Sequence, residues 1–310
     1  MHEYKPFRFG VVGISAHSRK EWVAKARRAE ALGFSTFLVW DHFTDQLAPL
    51  PALLAVADAT SSLRIATLVL VNDYRNPVLL TKEAATLDLL SDGRFELGIG
   101  AGWNRDEYRQ AGIAFDNSQS RVQRLEESIQ VIKGLLTDTA LTFHGKYYTI
   151  TSLRSHPAPI QKPHPPLLIG GARRQMLTLA AREADIIAFA TKVFPDGAHD
   201  FSDSTGPAIA RKRAWVREAA GPRFASLEFH IHVGGVIITP EREKKAAQLA
   251  DTVGLTPAQL LDCLQALVGT EDEIVDDLLQ RRVQYGISYI SVDERFMEAL
   301  APIVARLTGK

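Results

Sequence analysis

The sequence predicts a (β/α)8 barrel, and three observations carry that prediction. Short apolar runs centred near residues 9, 38, 67, 97, 168, 187, 233 and 290 alternate with helix-period segments. Such alternation, at about 30 residues per unit, implies parallel strands joined by right-handed crossovers. The runs are continuously apolar, as in a sheet covered by helices. The turn after the first run carries no GxGxxG, which sets aside the runner-up, an open doubly wound sheet.

In chain order, residues 7–14 (FRFGVVGI) read as the first strand. Trp22, Val23, Ala26, Ala29 and Leu32 recur at helical spacing, and Gly33 stops that helix. Residues 36–40 form a second strand ending in Asp41-His42, followed by a helix at 51–59. A strand at 63–71 leads to a helix opened by Pro77. Asp92-Gly93 marks a turn before the glycine-rich run RFELGIGAGWN, residues 94–104, and 119–136 is a long amphipathic helix. Residues 139–166 break the rhythm with five prolines and a hairpin-like FHGKY. This stretch is too short for a core of its own and reads as an insertion into one barrel domain spanning 1–310. Strands at 167–169 and 184–190 enclose a helix near 174–183. A polar loop follows at 195–207, then a helix at 208–220 and a long strand at 227–239. Residues 240–265 read as helix broken near Gly254. Thr270 with Glu273 is a capping-box pattern, Gly286 a stop, 287–292 the last strand and 294–307 the closing helix.

Composition narrows the function classes. Lys plus Arg and Asp plus Glu are 36 each, so no global field recruits nucleic acid or an anionic membrane. No run of about 18 apolar residues is present. The opening MHEYKPFRFG lacks the form of a signal peptide, and a cytoplasmic location is expected. The single cysteine, Cys263, lies in the helical pattern LLDCLQALV and reads as core.

In a barrel of this kind the chemistry collects at the C-terminal ends of the strands. Those ends offer Ser15 and His17; Asp41, His42 and Phe43; Val71 to Arg75; Ala101 to Asn104; Gly170 to Arg173; and Ala190 to Lys192. Gly98, Gly100 and Gly102 lack a Cβ and would let backbone approach a planar ring, with Trp103 and Asn104 beside it. The alternative is a glycine-rich turn that only closes the barrel. Gly170-Gly171-Ala172-Arg173 before a helix suits a phosphate, the alternative being a tight turn with solvated arginines. Asp41-His42 suits proton transfer, or else Asp41 caps the next segment. His144, His156 and His164 lack ligand spacing, and no metal site is expected.

The chain resembles the luciferase-like flavin and deazaflavin oxidoreductases, in their coenzyme F420-dependent branch. The carriers are AEALGFSTFLVWDHF (30–43), YRNPVLLTKEAATLDLLSDGRFELGIGAGWN (74–104), the FHGKYY…PAPIQKPHPPLLIGG segment (143–171) and VGTEDEI…YGISYISV (268–292). The resemblance implies a (β/α)8 barrel with insertions and a non-prolyl cis peptide in strand 3, here at Leu68-Val69. It implies His42 and Trp103 at the reacting centre, His42 as proton carrier and Trp103 as wall. Asp41, Leu68, Val69, Asn72, Ala101, Gly102 and Asn104 would meet the cofactor ring, and Gly170, Gly171, Ala172 and Arg173 a phosphate. F420 is the expected cofactor, with hydride passing at the deazaflavin C5 to or from a small organic substrate. An FMN-dependent monooxygenase with a partner reductase, and a non-catalytic cofactor-binding barrel, are the alternatives. A homodimer is implied as well. Two departures stand out: Arg75-Asn76-Pro77 replaces Arg-His-Pro, and Ile14-Ser15-Ala16-His17 lacks the acid of sugar-phosphate dehydrogenases, which points away from glucose 6-phosphate.

Overall fold

The computed structural model describes residues 4–137, 139–194 and 197–310. The barrel strands are β1 (Arg8–Gly13), β2 (Thr36–Val39), β3 (Arg64–Thr67, resuming as Leu70–Val71), β4 (Phe95–Gly100), β5 (Leu167–Gly171), β6 (Ile186–Phe189), β7 (Glu228–Val233) and β8 (Ile287–Asp293). They run in the order β3-β2-β1-β8-β7-β6-β5-β4, and β4 returns to β3, which closes an eight-stranded parallel barrel. The barrel helices are α1 (Arg19–Ala31), α2 (Pro49–Ala59), α3 (Pro77–Leu90), α4 (Ser118–Leu135), α5 (Arg174–Glu183), α6 (Gly206–Ala220), α7 (Glu271–Tyr285) and α8 (Met297–Leu307). No helix among the described residues is long and apolar enough to cross a membrane.

Two compact units make up the chain: Ile14–Ala26 with Leu38–Ile169, and Met1–Gly13 with Arg27–Phe37 and Gly170–Lys310. In the former, helix starts follow local chemistry. Asn76 accepts from Val78 N at 2.9 Å ahead of Pro77, and Asn117 accepts from Ser120 N at 2.9 Å ahead of α4. The expected insertion is a hairpin, Leu141–His144 against Thr149–Leu153, and then a proline-rich stretch. Two side chains tie it down. The Glu127 carboxylate on α4 accepts from the N–H groups of Lys146, Tyr147 and Tyr148 at 2.8, 2.8 and 3.3 Å, and a Cβ on Gly145 would lie 2.3 Å from its Oε2. Gln161 bonds Asp88 through its N–H and Nε2, and its Nε2 also donates to Phe95 O at 2.7 Å.

In the other unit, Arg8 pairs with both Glu228 oxygens at 2.8 and 2.7 Å and lies over the Tyr289 ring. The Thr270/Glu273 capping box is present, and Gly286 ends α7 at φ 74°. Two expectations change here. The long strand at 227–239 is two strands, β7 and Gly235–Ile238, and the latter pairs with Ala266–Gly269. The helix expected to reach residue 265 ends at Asp262, so Cys263 is buried but not helical. The chain leaves the helix to enter the strand Ala266–Gly269, and the buried Arg281 guanidinium donates to the carbonyls of Cys263, Leu264 and Ala266 at the turn between them. Of the loop expected at 195–207, residues 195 and 196 lie outside the described set. His199–Asp200 pairs with Lys192–Val193, and the fully buried Lys212 pairs with Asp203 at 2.7 Å while donating to Ala190 O at 2.6 Å.

Candidate active site

The strand ends of the Leu38–Ile169 unit bring most of the expected residues together. His42, just past β2, directs Nδ1 at both oxygens of Glu107, at 2.9 and 3.0 Å. Glu107 is buried and lies in the first turn of the short helix Arg105–Gln110. A carboxylate only accepts, so His42 carries a proton on Nδ1 and its Nε2 is the basic nitrogen. Tyr74 also donates to Glu107, at 3.4 Å. Burial and then the charges of Glu107 and Asp41 push the Tyr74 phenol well above its ordinary pKa, so it remains a donor. The Trp103 ring stands edge-on to His42 at 5.8 Å, and Phe43 stacks on Tyr74 at 4.7 Å.

Asp41 has a different surrounding from the one the sequence suggested. It is buried, holds Arg75 through both oxygens at 2.5 and 2.9 Å, and accepts from Val71 N at 2.8 Å. It therefore fastens the end of β2 to the end of β3. Asp73 is the matching group one step on. Arg124 pairs with Asp73 at 2.9 Å and with Asp116, and Tyr108 donates to Asp73 at 3.2 Å. A cleft of about 440 Å³ opens beside these groups, lined among others by Tyr74, Arg75, Asn76, Ile113, Arg124 and Tyr148.

The break in β3 contains the expected cis peptide, Leu68-Val69. Ala66 pairs with Glu96 but Leu70 with Ile99, so β3 holds one residue more than β4 across the break. The Thr67 hydroxyl fills the gap in the ladder, donating to Gly98 O at 2.7 Å and accepting from Gly98 N at 2.8 Å. Leu68 and Val69 are half-buried, in contrast to their buried neighbours.

The glycines of β4 pack closely against this bulge and its neighbours. A Cβ on Gly98 would lie 1.8 Å from Thr67 O, one on Gly100 2.8 Å from Val69 Cγ2, and one on Gly102 2.1 Å from the Tyr108 hydroxyl. The space they leave is filled by protein, and Gly102 further adopts φ 74°. Ala101 accepts from Tyr108 and Arg121 through its carbonyl, each at 3.3 Å. Asn104 spends its side-chain oxygen capping the helix at Asp106 N and Glu107 N. Asn72 is 1% exposed; its Nδ2 donates to Asp73 and to the Tyr148 hydroxyl, while Oδ1 has no partner among the described residues.

Gly170, Gly171, Ala172 and Arg173 belong to the other unit. Gly170 and Gly171 end β5, Gly171 O accepts from Ala190 N at 3.0 Å, and Arg173 is the residue ahead of α5. The next residue, Arg174, pairs with Glu218 at 2.9 Å.

A model of the luciferase-like monooxygenase family matches residues 5–247. The chain belongs to that family. Among curated luciferase-like relatives, an FMNH2-dependent dimethylsulfone monooxygenase from Pseudomonas putida is 29% identical over 187 residues, 57% of this chain and 51% of the relative. An F420-dependent glucose-6-phosphate dehydrogenase from Amycolatopsis mediterranei is 33% identical over 163 residues, 49% of this chain and 48% of the relative. The chain thus spans about half the length of each. A solved structure, the coenzyme F420-dependent tetrahydromethanopterin reductase from Methanopyrus kandleri, superposes with a TM-score of 0.77 at 16% identity, covering 98% of this chain and 100% of that one. At that identity the match concerns the fold.

Glu107 is the residue of this cluster that the sequence did not single out. Its only local signal was Asn104 three positions ahead, a capping pattern, and acids in a first helical turn ordinarily answer the helix dipole. Nothing within residues 101–110 indicates that this acid reaches His42, 65 positions earlier.

Proposed function

We propose that this chain is a coenzyme F420-dependent oxidoreductase acting on a small organic substrate, with His42 as the proton carrier. The observation that carries the reading is the His42–Glu107 dyad. Its geometry holds one imidazole nitrogen and leaves Nε2 as a base of defined tautomer. The residues present fit a deazaflavin ring: Asn72 Oδ1 is a buried acceptor lacking a partner, which suits a ring N–H, and Leu68 and Val69 are the half-buried pair of the bulge. The deazaflavin supplies a two-electron hydride carrier. In alcohol oxidation His42 Nε2 would take the hydroxyl proton, and in carbonyl reduction Nε2 would return a proton to the oxygen. Glu107 stabilises the imidazolium in between, and Trp103 walls the site.

Support comes from the F420-dependent relative. A second reading, an FMN-dependent monooxygenase, is favoured by the dimethylsulfone enzyme. Titrating the purified protein with F420 and separately with FMN, following tryptophan fluorescence, divides the two. Tight F420 binding with weak FMN binding is expected, and the reverse moves the assignment to the flavin enzymes. His42→Ala is expected to abolish turnover with reduced F420; unchanged turnover refutes the proton-carrier role.

A further inference from the structure

We infer that the substrate at His42 is an uncharged molecule with an apolar body and one hydroxyl or carbonyl, and that anionic analogues are rejected; this rests on the reading of His42 as proton carrier. Two aromatic side chains are left to solvent beside the dyad, Trp103 at 41% exposure and Phe43 at 55%. Trp103 touches the His42 ring by its edge, and Phe43 reaches Glu107 through Tyr74, on which it stacks. Large exposed rings flanking a reacting group are covered when an apolar body docks there, and that burial favours binding.

The charges point the same way. Three guanidinium groups at the site are committed. Arg75 holds Asp41 through both oxygens, and Arg124 lies between Asp73 and Asp116. Arg121 is buried over the Phe115 ring and donates to the carbonyls of Ala101 and Asp116. Glu107 adds a buried negative charge against His42 itself. A phosphate or carboxylate brought to Nε2 would lose water and meet this anion, and Arg75 and Arg124 could turn to it only by breaking pairs already formed. A neutral hydroxyl asks only for one acceptor, which Nε2 supplies.

The test uses cofactor-loaded protein and matched probes: cyclohexanol against 4-hydroxycyclohexanecarboxylate, and glucose against glucose 6-phosphate. Calorimetric binding is read beside turnover. The expected result is cyclohexanol binding at least tenfold tighter than its carboxylated partner, with Phe43→Ala raising KM for cyclohexanol more than it lowers kcat. Phosphate is expected to give glucose no advantage. Equal or tighter binding of either anion, or no binding of cyclohexanol, overturns the inference. Failure is separable from failure of the functional reading. A protein that takes up neither F420 nor FMN refutes that reading, and the probe pairs are then compared on the protein alone.

Discussion

Glu107→Gln is the sharpest perturbation of this site, because it preserves shape and changes one chemical property. The carboxylate accepts from His42 Nδ1 at 2.9 and 3.0 Å and from Tyr74 at 3.4 Å, and it is buried. An amide has one acceptor oxygen and one NH2 group. With the NH2 toward His42, Nδ1 must become the acceptor, the proton moves to Nε2, and the base is lost. With the oxygen toward His42 the tautomer survives, but the imidazolium formed in turnover has no anion beside it. Either way the loss falls on the reacting state. General acid–base catalysis contributes about 10²–10⁴-fold, which at about 1.36 kcal/mol per tenfold is roughly 2.7–5.4 kcal/mol of barrier. We expect kcat to fall within that span while cofactor affinity, read by tryptophan fluorescence, stays within about threefold, a difference below about 1 kcal/mol. Steady-state turnover followed by F420 absorbance provides the assay. A variant that keeps kcat within about threefold would refute the dyad as the proton-handling device.

Three further outcomes are expected. Gly98→Ala places a methyl 1.8 Å from Thr67 O, a backbone atom that cannot rotate away, so chemical denaturation should show a loss above about 4 kcal/mol or no folded protein. Glu127→Gln keeps one acceptor for three N–H groups of the insertion hairpin, and hydrogen exchange at residues 145–148 should rise as about 1–3 kcal/mol of local protection is lost. His230 is wholly buried, and burial first, then His232 and Arg8, push its pKa well below the ordinary value of 6.5. The unfolded chain therefore binds the proton first, so stability is undiminished above about pH 6.5 and falls as pH drops from there toward the folded-state pKa, by at most about 1.4 kcal/mol per pH unit from this group. Denaturation from pH 7 to 5 should show that slope, and His230→Gln should flatten it; an unchanged slope assigns the acid lability to other groups.

The sequence alone determined what local chemistry and periodicity control. The eight strands appear where apolar runs were expected, because a strand covered by helices must be apolar along its length. Gly33 and Gly286 end helices in the left-handed region, and Thr270 with Glu273 starts one, because those needs are met within a few residues. Asp41, His42 and Asn72 were legible as strand-end residues of a barrel, and the resemblance carried the family. Only the tertiary structure decided what each of them touches. Arg75 on Asp41, Glu107 on His42 and Arg281 on the carbonyls after Asp262 join groups far apart in the chain, so no local pattern encodes them. The glycines of β4 make the same point. A missing Cβ is visible in the sequence, but whether a ligand or Thr67, Val69 and Tyr108 fills the vacancy depends on which residues fold opposite. Periodicity reports that a residue faces inward, and packing decides what it meets there.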